Sequence, residues 1–401
     1  MGSVLSVVVP VHNVAPYLVE CLESIAAQTY RDLDVVLVDD GSTDDSGRIA
    51  AAFTARDDRF RLITQPNAGL GAARNTGVRH ARGSLLQFVD SDDVLPRCAS
   101  GRLAAALART GSDFATGNTL RLDSRGLHPS RMHARIFTHT RLRTHVTRDR
   151  ELLGDRTAWN KVFRRDFWER QGLAFPEGVL YEDTPVMVPA HVLARAVDVL
   201  HEPVYHWRRR EGDDRSITQR REEPRNFADR YAGVERVSRF LGDGGWEDLR
   251  AWYDASAVRS DLAFYLRVLP EADDDYRTMF LDRCAAFLDR VPQRVLDGLP
   301  AATRVQWHLV RQRRVPELLT VIRASRDGRV PVVRRGLRRY HALPFLDDGL
   351  PYLPRRLYRA RRAMPRRLSA AAFRMFTGRG AVVNRASTPV DYKIKSEDSS
   401  R

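Results

Sequence analysis

Three short apolar runs in the first quarter of the chain constrain its fold more than any other feature. They are Leu5–Val11, Leu33–Val38 and Leu85–Val89. Continuous runs of this length, rich in β-branched residues, are typical of strands buried on both faces of a sheet. Apolar residues at helical spacing predict a helix over 15–28, and a further helix is predicted over 71–82. Strands that alternate with helices predict βαβ units and a mainly parallel α/β sheet with helices on both faces.

Two of these predicted strands end in carboxylates. Asp39 and Asp40 follow the second run, and Asp90 and Asp92 follow the third. Because right-handed crossovers bring the ends of parallel strands to one edge of a sheet, both pairs are predicted to share one crevice. Carboxylates clustered there are unfavourable unless a cation or a ligand compensates their charge. A solvated turn is the alternative for either pair taken alone, and Arg74 is a candidate counter-charge.

The charge of the chain is distributed unevenly. The 401 residues carry a net charge of +15, but residues 301–401 hold 24 basic and 7 acidic residues, against 42 and 44 in residues 1–300. The larger part of the chain is therefore nearly neutral, which argues against nucleic-acid binding by overall charge. Three cysteines far apart in sequence argue against a disulfide framework and predict a reducing cytoplasm. No stretch is apolar enough to span a bilayer.

Four motifs stand in the order and spacing of a known family. They are Val7–Asn13, Val38–Asp44, Asn67–Gly69 with Ala73–Gly77, and Phe88–Asp93. With them the chain resembles glycosyltransferase family 2, which has the GT-A fold, and in particular bacterial members that build cell-envelope polysaccharides. Trp159–Lys161 and Tyr181–Asp183 also resemble acceptor-side segments of such enzymes. The resemblance covers about residues 3–220.

The resemblance implies roles for individual residues. It implies that the nucleotide is bound by Pro10, Asn13, Asp39, Asp40, Arg74 and Asp90. It implies that Asp92 binds a divalent cation, Mg²⁺ or Mn²⁺, with His206 near the metal, and that Asp183 is the catalytic base. Trp159, Lys161 and Glu182 are expected on the side of the acceptor and the donor sugar.

Elementary chemistry is consistent with these implied roles. Mg²⁺ and Mn²⁺ prefer oxygen ligands and need only one or two protein carboxylates when a diphosphate supplies the others. Because a nucleoside diphosphate is a good leaving group, the group still required is a base for the acceptor hydroxyl. The resemblance therefore implies a metal-dependent single displacement with inversion, from a nucleotide-sugar donor, UDP-linked by family frequency, to a cell-envelope glycan or a lipid-linked acceptor.

Alternative interpretations exist for several of these residues. An Asp before Thr-Pro is also an ordinary helix cap, which is the alternative for Asp183. Trp159 is equally suited to a core position. Arg208–Arg210 are suited either to contacts with phosphates or to an exposed basic loop. For the whole chain, the alternative function is a basic interaction protein that binds nucleic acid or membranes and carries a non-catalytic nucleotide-binding domain.

Three regions are predicted along the chain: a catalytic domain over 1–220, a helical extension over 221–326 and a basic tail over 327–401. Within the first region, residues 120–150 are predicted to form a polar loop. The second region contains apolar residues at helical spacing. Its predicted helices are Phe227–Leu241, Trp246–Val268, Asp273–Arg290 and Ala301–Ala324.

The tail alternates arginines with apolar residues, which are Leu337, Tyr340, Leu353, Leu357, Tyr358 and Met364. A basic amphipathic pattern of this kind is typical of a contact with anionic lipid. It predicts a protein that is peripheral at the inner face of the cell membrane. Nucleic-acid binding by the tail is the less favoured alternative, and residues 380–401 are predicted to be disordered.

Overall fold

The computed structural model describes residues 3–211, 216–326 and 330–360. Within these ranges, nine strands form one sheet in the order β3-β2-β1-β4-β8-β5-β9-β7, with β6 paired to β5. The strands are β1 Leu5–Val11, β2 Leu33–Asp40, β3 Phe60–Gln65, β4 Leu85–Phe88, β5 Phe114–Asp123, β6 Gly126–Pro129, β7 Arg141–Thr144, β8 Lys161–Arg164 and β9 Val197–Arg208. The strands β1 to β4 are parallel to one another, whereas β8 is antiparallel to its neighbours β4 and β5.

Helices cover both faces of this sheet, as predicted. Those of the first half are α1 Ala15–Ala26, α2 Ser46–Arg56, α3 Leu70–His80, α4 Ala99–Thr110, α5 Arg165–Arg170 and α6 Thr184–Leu193. Alternate residues of β1 enter different cores: Val7 and Val9 pack with α1, and Val8 packs on the opposite face. The mainly parallel α/β fold predicted from the apolar runs is confirmed.

Helix α3 lies unusually close to the sheet because of Gly77. A Cβ atom at this position would lie 2.2 Å from Cγ1 of Val8, so the helix can approach β1 this closely only with glycine. The close approach sets the distance between α3 and the sheet near the strand ends. It thereby positions Arg74, one turn earlier in the same helix.

The second half of the structure is helical. Its helices are α7 Pro224–Asp243, α8 Glu247–Arg259, α9 Ala263–Leu266, α10 Asp274–Arg290, α11 Gln293–Asp297, α12 Ala301–Arg311 and α13 Val315–Arg326. Val234 and Trp307 of these helices share one apolar core with Val186 and Met187 of α6. The boundary at residue 220 stays a prediction, since apolar residues on both sides of it contribute to a common core.

Two of the predicted helices are interrupted. The helix predicted over 246–268 breaks after Arg259, where the buried Asp261 accepts hydrogen bonds from Arg156 and Arg230. The helix predicted over 301–324 breaks at Gln312, and α13 begins beside Pro316, which suits a first turn. Apolar spacing alone did not reveal either break, because the periodicity continues across both.

The prediction of a polar loop over 120–150 is wrong. Strand β5 extends to Asp123, forms a hairpin with β6, and is followed by β7 at the edge of the sheet. Ile136, Phe137 and Val146 are buried in the main core. Because these few apolar residues stand among arginines and histidines, the segment lacks periodicity even though it packs.

The described part of the basic tail forms an ordered structure. Residues 332–335 (β10) and 338–341 (β11) pair as an antiparallel hairpin. Tyr340, Leu353, Leu357 and Tyr358 are buried in the core. The prediction that these apolar residues form an exposed amphipathic face is therefore wrong, while the predicted disorder of residues 380–401 falls outside the described residues. No helix in the described ranges is long and apolar enough to cross a membrane.

Candidate active site

The carboxylates at the end of β2 hold the loops around them. Asp40 accepts hydrogen bonds from the Gln65 side chain at 2.7 Å and from the backbone amides of Ala68 and Gly69 at 2.9 and 2.8 Å. Asp39 accepts a hydrogen bond from the Ser42 amide at 3.0 Å. Both side chains are buried at the edge of the crevice. Asp40 therefore fixes the loop before α3, and its predicted contact with a nucleotide stays a prediction.

Asn13 lies in the loop after β1, at the same edge of the sheet. Its φ of 50° is left-handed, a conformation that Asn tolerates better than most residues. Its side-chain oxygen accepts hydrogen bonds from the amides of Thr43 and Asp44 at 2.8 and 3.3 Å. The loop after β1, which begins beyond the buried Pro10, is thus tied to the loop after β2.

Arg74 is the centre of the charge cluster. Its guanidinium is 1% exposed and pairs with Asp90 at 2.6 Å, with Glu182 at 2.5 Å and with Asp183 at 2.6 Å. Three carboxylates around one buried cation leave a net negative charge in a region of low dielectric. The cluster joins α3 to the start of α6, with Arg74 and Asp183 separated by 109 residues of sequence, and it includes Asp90 at the end of β4. The predicted contact of Arg74 with a nucleotide stays a prediction.

Asp183 stands immediately before α6 but does not cap it. Its backbone is already helical, and its side chain makes no capping hydrogen bond. Its carboxylate instead accepts hydrogen bonds from Arg74 at 2.6 Å and from the Ala158 amide at 3.0 Å. The structure thus disfavours the helix-cap interpretation. The side chain is 17% exposed, so that it is fixed in orientation and still accessible from the crevice.

Glu182 is the least exposed carboxylate of the cluster. Burial is the largest influence on it and raises its pKa to about 7, since the attraction of Arg74 is partly offset by the charge of Asp183. Glu182 therefore titrates near neutral pH. The protonation of Glu182 therefore changes the net charge around Arg74.

Replacing Glu182 by Gln is expected to change how stability depends on pH. Because the pKa of Glu182 in the folded state exceeds its ordinary value of 4.5, the folded state binds more protons than the unfolded state between about pH 4.5 and 7. The free energy of unfolding of the wild type should fall as pH rises through this window, and Gln cannot titrate. Urea denaturation should show the variant gaining stability relative to the wild type between about pH 5 and 8. A difference in the free energy of unfolding between variant and wild type that does not change with pH would contradict the raised pKa of Glu182.

The end of β4 carries a second group of charges. Asp92 pairs with Arg210 at 2.7 Å and is 18% exposed. Asp93 is buried and accepts a hydrogen bond from the Arg208 amide at 2.7 Å. Burial raises the pKa of both carboxylates. The crevice therefore has a surplus of acidic groups at the position where the sequence predicts a metal.

His206 is not brought into a metal cluster by the fold. It lies in β9 next to Tyr205, whose hydroxyl accepts a hydrogen bond from the Asp90 amide at 3.0 Å. Since neighbouring strand residues point to opposite sides, the imidazole of His206 points away from that contact. The described residues contain no group of three His, Cys, Asp or Glu side chains arranged around a metal position. The role of His206 near a metal stays a prediction without a supporting contact.

Trp159 and Lys161 lie behind the crevice. Trp159 is 4% exposed and stacks on Tyr205 with ring centroids 4.2 Å apart. Lys161 is fully buried, and its ammonium pairs with the equally buried Asp155 at 2.9 Å and donates to the Thr157 carbonyl at 2.7 Å. Neither side chain faces solvent. Their predicted contacts with a sugar stay predictions, and Lys161 in particular serves the interior of the protein.

Comparison with known proteins places the chain in a family. The family description "Glycosyl transferase family 2" matches residues 6–171. The glycosyltransferase GlyG of Streptococcus pneumoniae is 32% identical over 225 residues, which cover 53% of this chain and 73% of GlyG. The chain belongs to glycosyltransferase family 2. The uncharacterized glycosyltransferase EpsJ of Bacillus subtilis is 34% identical to this family 2 member over 212 residues, which cover 52% of the chain and 62% of EpsJ. The chain thus spans less than two thirds of EpsJ.

A solved structure has a similar fold over nearly all of its length. Residues 1–349 of TarS from S. aureus, in complex with UDP-GlcNAc, superpose with a TM-score of 0.67 at 22% identity. The match covers 88% of this family 2 chain and 99% of the TarS fragment. This likeness confirms the GT-A fold class with its helical C-terminal region.

The fold brings together four of the predicted site residues of this family 2 member. Asp90, Arg74, Glu182 and Asp183 form one ion-paired cluster, and Asp92 follows Asp90 by two residues. Residues that the prediction missed complete the surroundings. They are Arg210, which pairs with Asp92, Tyr205, which binds the Asp90 amide, and Ala158, which binds Asp183. The aromatic and basic run Tyr205–Arg210 could have indicated two of these residues from the sequence. A contact through a backbone amide, such as that of Ala158, has no sequence pattern.

Proposed function

We propose that this protein is a metal-dependent, inverting glycosyltransferase that moves a sugar from a UDP-linked donor to a cell-envelope glycan or a lipid-linked acceptor. The observation that carries the proposal is the Arg74 cluster. One guanidinium holds Asp90, proposed to bind the ribose, and Asp183, proposed to be the base, in a single fixed arrangement. The binding group and the proton acceptor therefore keep a constant separation across the crevice.

Relatives support the choice of donor and acceptor. TarS has been solved with UDP and with UDP-GlcNAc, which supports a UDP-linked donor for this chain. A cell-envelope acceptor is supported by the resemblance to bacterial polysaccharide enzymes of the same family. We place the enzyme in the cytoplasm, peripheral at the membrane where a lipid-linked acceptor would be found.

The residues at the end of β4 fit a divalent cation. Asp92 offers a partly exposed carboxylate beside two further acidic groups, and a single protein carboxylate suffices when phosphate oxygens complete the coordination. Arg210 supplies the positive charge next to Asp92 in the structure described here. Asp92 would hold the cation, and Arg210 would then be released toward the diphosphate. When bound, such a cation compensates the charge that develops on the departing nucleotide.

The side chains of the crevice divide the remaining tasks. Asp183 accepts the proton of the acceptor hydroxyl as its oxygen attacks the anomeric carbon. Arg74 and the Ala158 amide keep the Asp183 carboxylate aimed into the crevice. At the strand ends, Asp39 is available to bind the nucleobase of the donor and Asp90 to bind its ribose. Attack from the side opposite to the leaving group inverts the configuration in one step.

Turnover of nucleotide sugars tests this proposal. We expect release of the nucleotide from a UDP-linked sugar in the presence of Mn²⁺ and little release from GDP- or TDP-linked sugars. A chelator should stop the reaction. Activity that is equal with and without the chelator would contradict the metal requirement, and no release from any nucleotide sugar would contradict the proposed activity.

Replacing Asp92 by Asn tests the position of the metal. Because the amide carries no charge, Mn²⁺-dependent binding of UDP should weaken at least roughly tenfold, as measured by isothermal titration calorimetry. Asp166→Asn is the matched control, since Asp166 also pairs with an arginine but lies exposed on α5. If UDP binding weakened equally in both variants, or did not weaken in Asp92→Asn, Asp92 would not be the metal ligand.

A further inference from the structure

The hairpin of β10 and β11 presents an apolar side chain at its tip. Gly336 has a left-handed φ of 60°, which is typical of the first central residue of a two-residue hairpin turn. Leu337, the second residue of the turn, is 96% exposed, whereas the other large apolar residues of the described chain are at most 49% exposed. Nothing in the packing of the hairpin accounts for a leucine at this position.

Arginines surround this leucine in an unfavourable pairing. Arg334 lies directly opposite Arg339 across the two strands, and Arg335 lies opposite Arg338. Like charges that face each other in this way destabilise a hairpin. Of these four arginines, only Arg335 has a carboxylate partner among the described residues, which is Asp347 at 2.6 Å. In the described part of the chain, no carboxylate therefore compensates Arg334 and Arg339 on the outer side of the hairpin.

The two faces of the hairpin differ in character. Tyr340 is buried in the core, so that its face points to the body of the protein. Since neighbouring residues alternate, Val332, Arg334 and Arg339 lie on the face that points to solvent. Val332 is also among the more exposed apolar residues. The outer face thus combines exposed apolar groups with uncompensated arginines.

The chain beyond the described residues continues from the same place. The amide of Ala360 donates a hydrogen bond to the Arg339 carbonyl, beside strand β11. The sequence then reads Arg361-Arg362, with Arg366 and Arg367 shortly after. Four arginines therefore follow within seven residues of Ala360 in the sequence.

We infer that the tip of the β10–β11 hairpin is the contact of this protein with an anionic lipid bilayer. Leu337 enters the interface between head groups and acyl chains, while Arg334 and Arg339 on the outer face pair with lipid phosphates. The inference rests on the membrane location proposed above, but not on the chemistry of the active site. The apolar residue that contacts the lipid is then the exposed Leu337, and not Tyr340, Leu353, Leu357 or Tyr358, which are buried.

The combination of side chains favours a lipid surface over nucleic acid. Phosphates of either kind would compensate the arginines. A projecting aliphatic tip, however, gains free energy only where an apolar phase receives it. A bilayer offers both the phosphates and the apolar phase within a few ångströms of each other.

Binding of the full-length protein to vesicles tests this inference. The protein should sediment with phosphatidylcholine vesicles that contain phosphatidylglycerol and not with phosphatidylcholine alone. Leu337→Ser should weaken the partitioning roughly fivefold, and Arg334→Gln combined with Arg339→Gln on the order of tenfold. Release of UDP from a soluble donor without vesicles should be unchanged in these variants, which separates a failure of this inference from a failure of the proposed activity.

Two control variants are matched to these changes. Leu127→Ser removes an exposed leucine that also follows a glycine in a hairpin, that of β5 and β6. Arg236→Gln with Arg239→Gln removes two charges from the exposed side of α7. Both controls should bind vesicles like the wild type. Equal binding by the hairpin variants, equal loss in the controls, or equal binding to neutral vesicles would overturn the inference, as would a preference for duplex DNA over anionic vesicles.

Discussion

Replacing Asp183 by Asn should slow sugar transfer by about a thousandfold, because the loss of a general base removes a factor of roughly 10²–10⁴ from the rate. The amide can still accept a hydrogen bond from Arg74, so the arrangement of the crevice should survive. Binding of UDP, measured by calorimetry, is expected to stay close to that of the wild type. The rate of UDP release from the preferred nucleotide sugar measures the loss.

Glu182→Gln is the matched control for this experiment. Glu182 binds the same Nη1 atom of Arg74 as Asp183 does, and it is the neighbouring residue. Turnover is compared well above the Glu182 pKa of about 7, where both variants remove one carboxylate charge from the cluster but only one removes the proposed base. Similar losses of turnover in the two variants would show that the charge of the cluster matters, not the proton acceptor, and would contradict the role of Asp183.

Replacing Arg74 by Met should lower the free energy of unfolding by roughly 3–5 kcal/mol at neutral pH. Without the guanidinium, Asp90, Glu182 and Asp183 are left as neighbouring carboxylates with no cation between them. Removal of one partner from a buried ion pair has this magnitude because the remaining charge loses its compensation without regaining water. Urea denaturation at neutral and at acidic pH measures the effect. The deficit should shrink in acid, where the carboxylates become protonated.

Arg61→Met serves as the control. Arg61 pairs at 2.6 Å with one carboxylate, that of Asp34, and is 23% exposed, so water can replace part of the lost interaction. Its loss of stability should be clearly smaller than that of Arg74→Met. Equal losses would mean that the three-carboxylate cluster has no special energetic role.

The sequence was sufficient for the buried parallel strands β1, β2 and β4 and for half of the site. The runs Leu5–Val11 and Leu33–Val38 predict buried strands because both faces of a parallel strand must be apolar, and the edge shared by Asp39 and Asp90 follows from the handedness of the crossovers. These inferences depend on local patterns and on rules that hold for any chain of this class.

The remaining features depend on contacts between distant segments. No spacing links Arg74 to Asp183, since their proximity results from the packing of α3 and α6 around the end of β4. Lys161 was expected near a sugar because Trp159–Lys161 resembles an acceptor-side segment, yet its partner Asp155 keeps it in the interior. The break at Asp261 likewise arises from two arginines that approach from other parts of the fold.

The hydrogen bonds of Asp40 and Asn13 have a consequence for how a nucleotide would be received. Hydrogen bonds from backbone amides to the side chains of Asp40 and Asn13 hold the loops at the mouth of the crevice in place. A ligand that enters between preorganised loops need not restrict their backbone, so little conformational entropy is lost on association. Selectivity among nucleotides would then depend on the shape of the crevice between these loops. A substitution that loosens either loop would weaken the binding of all nucleotides to a similar extent.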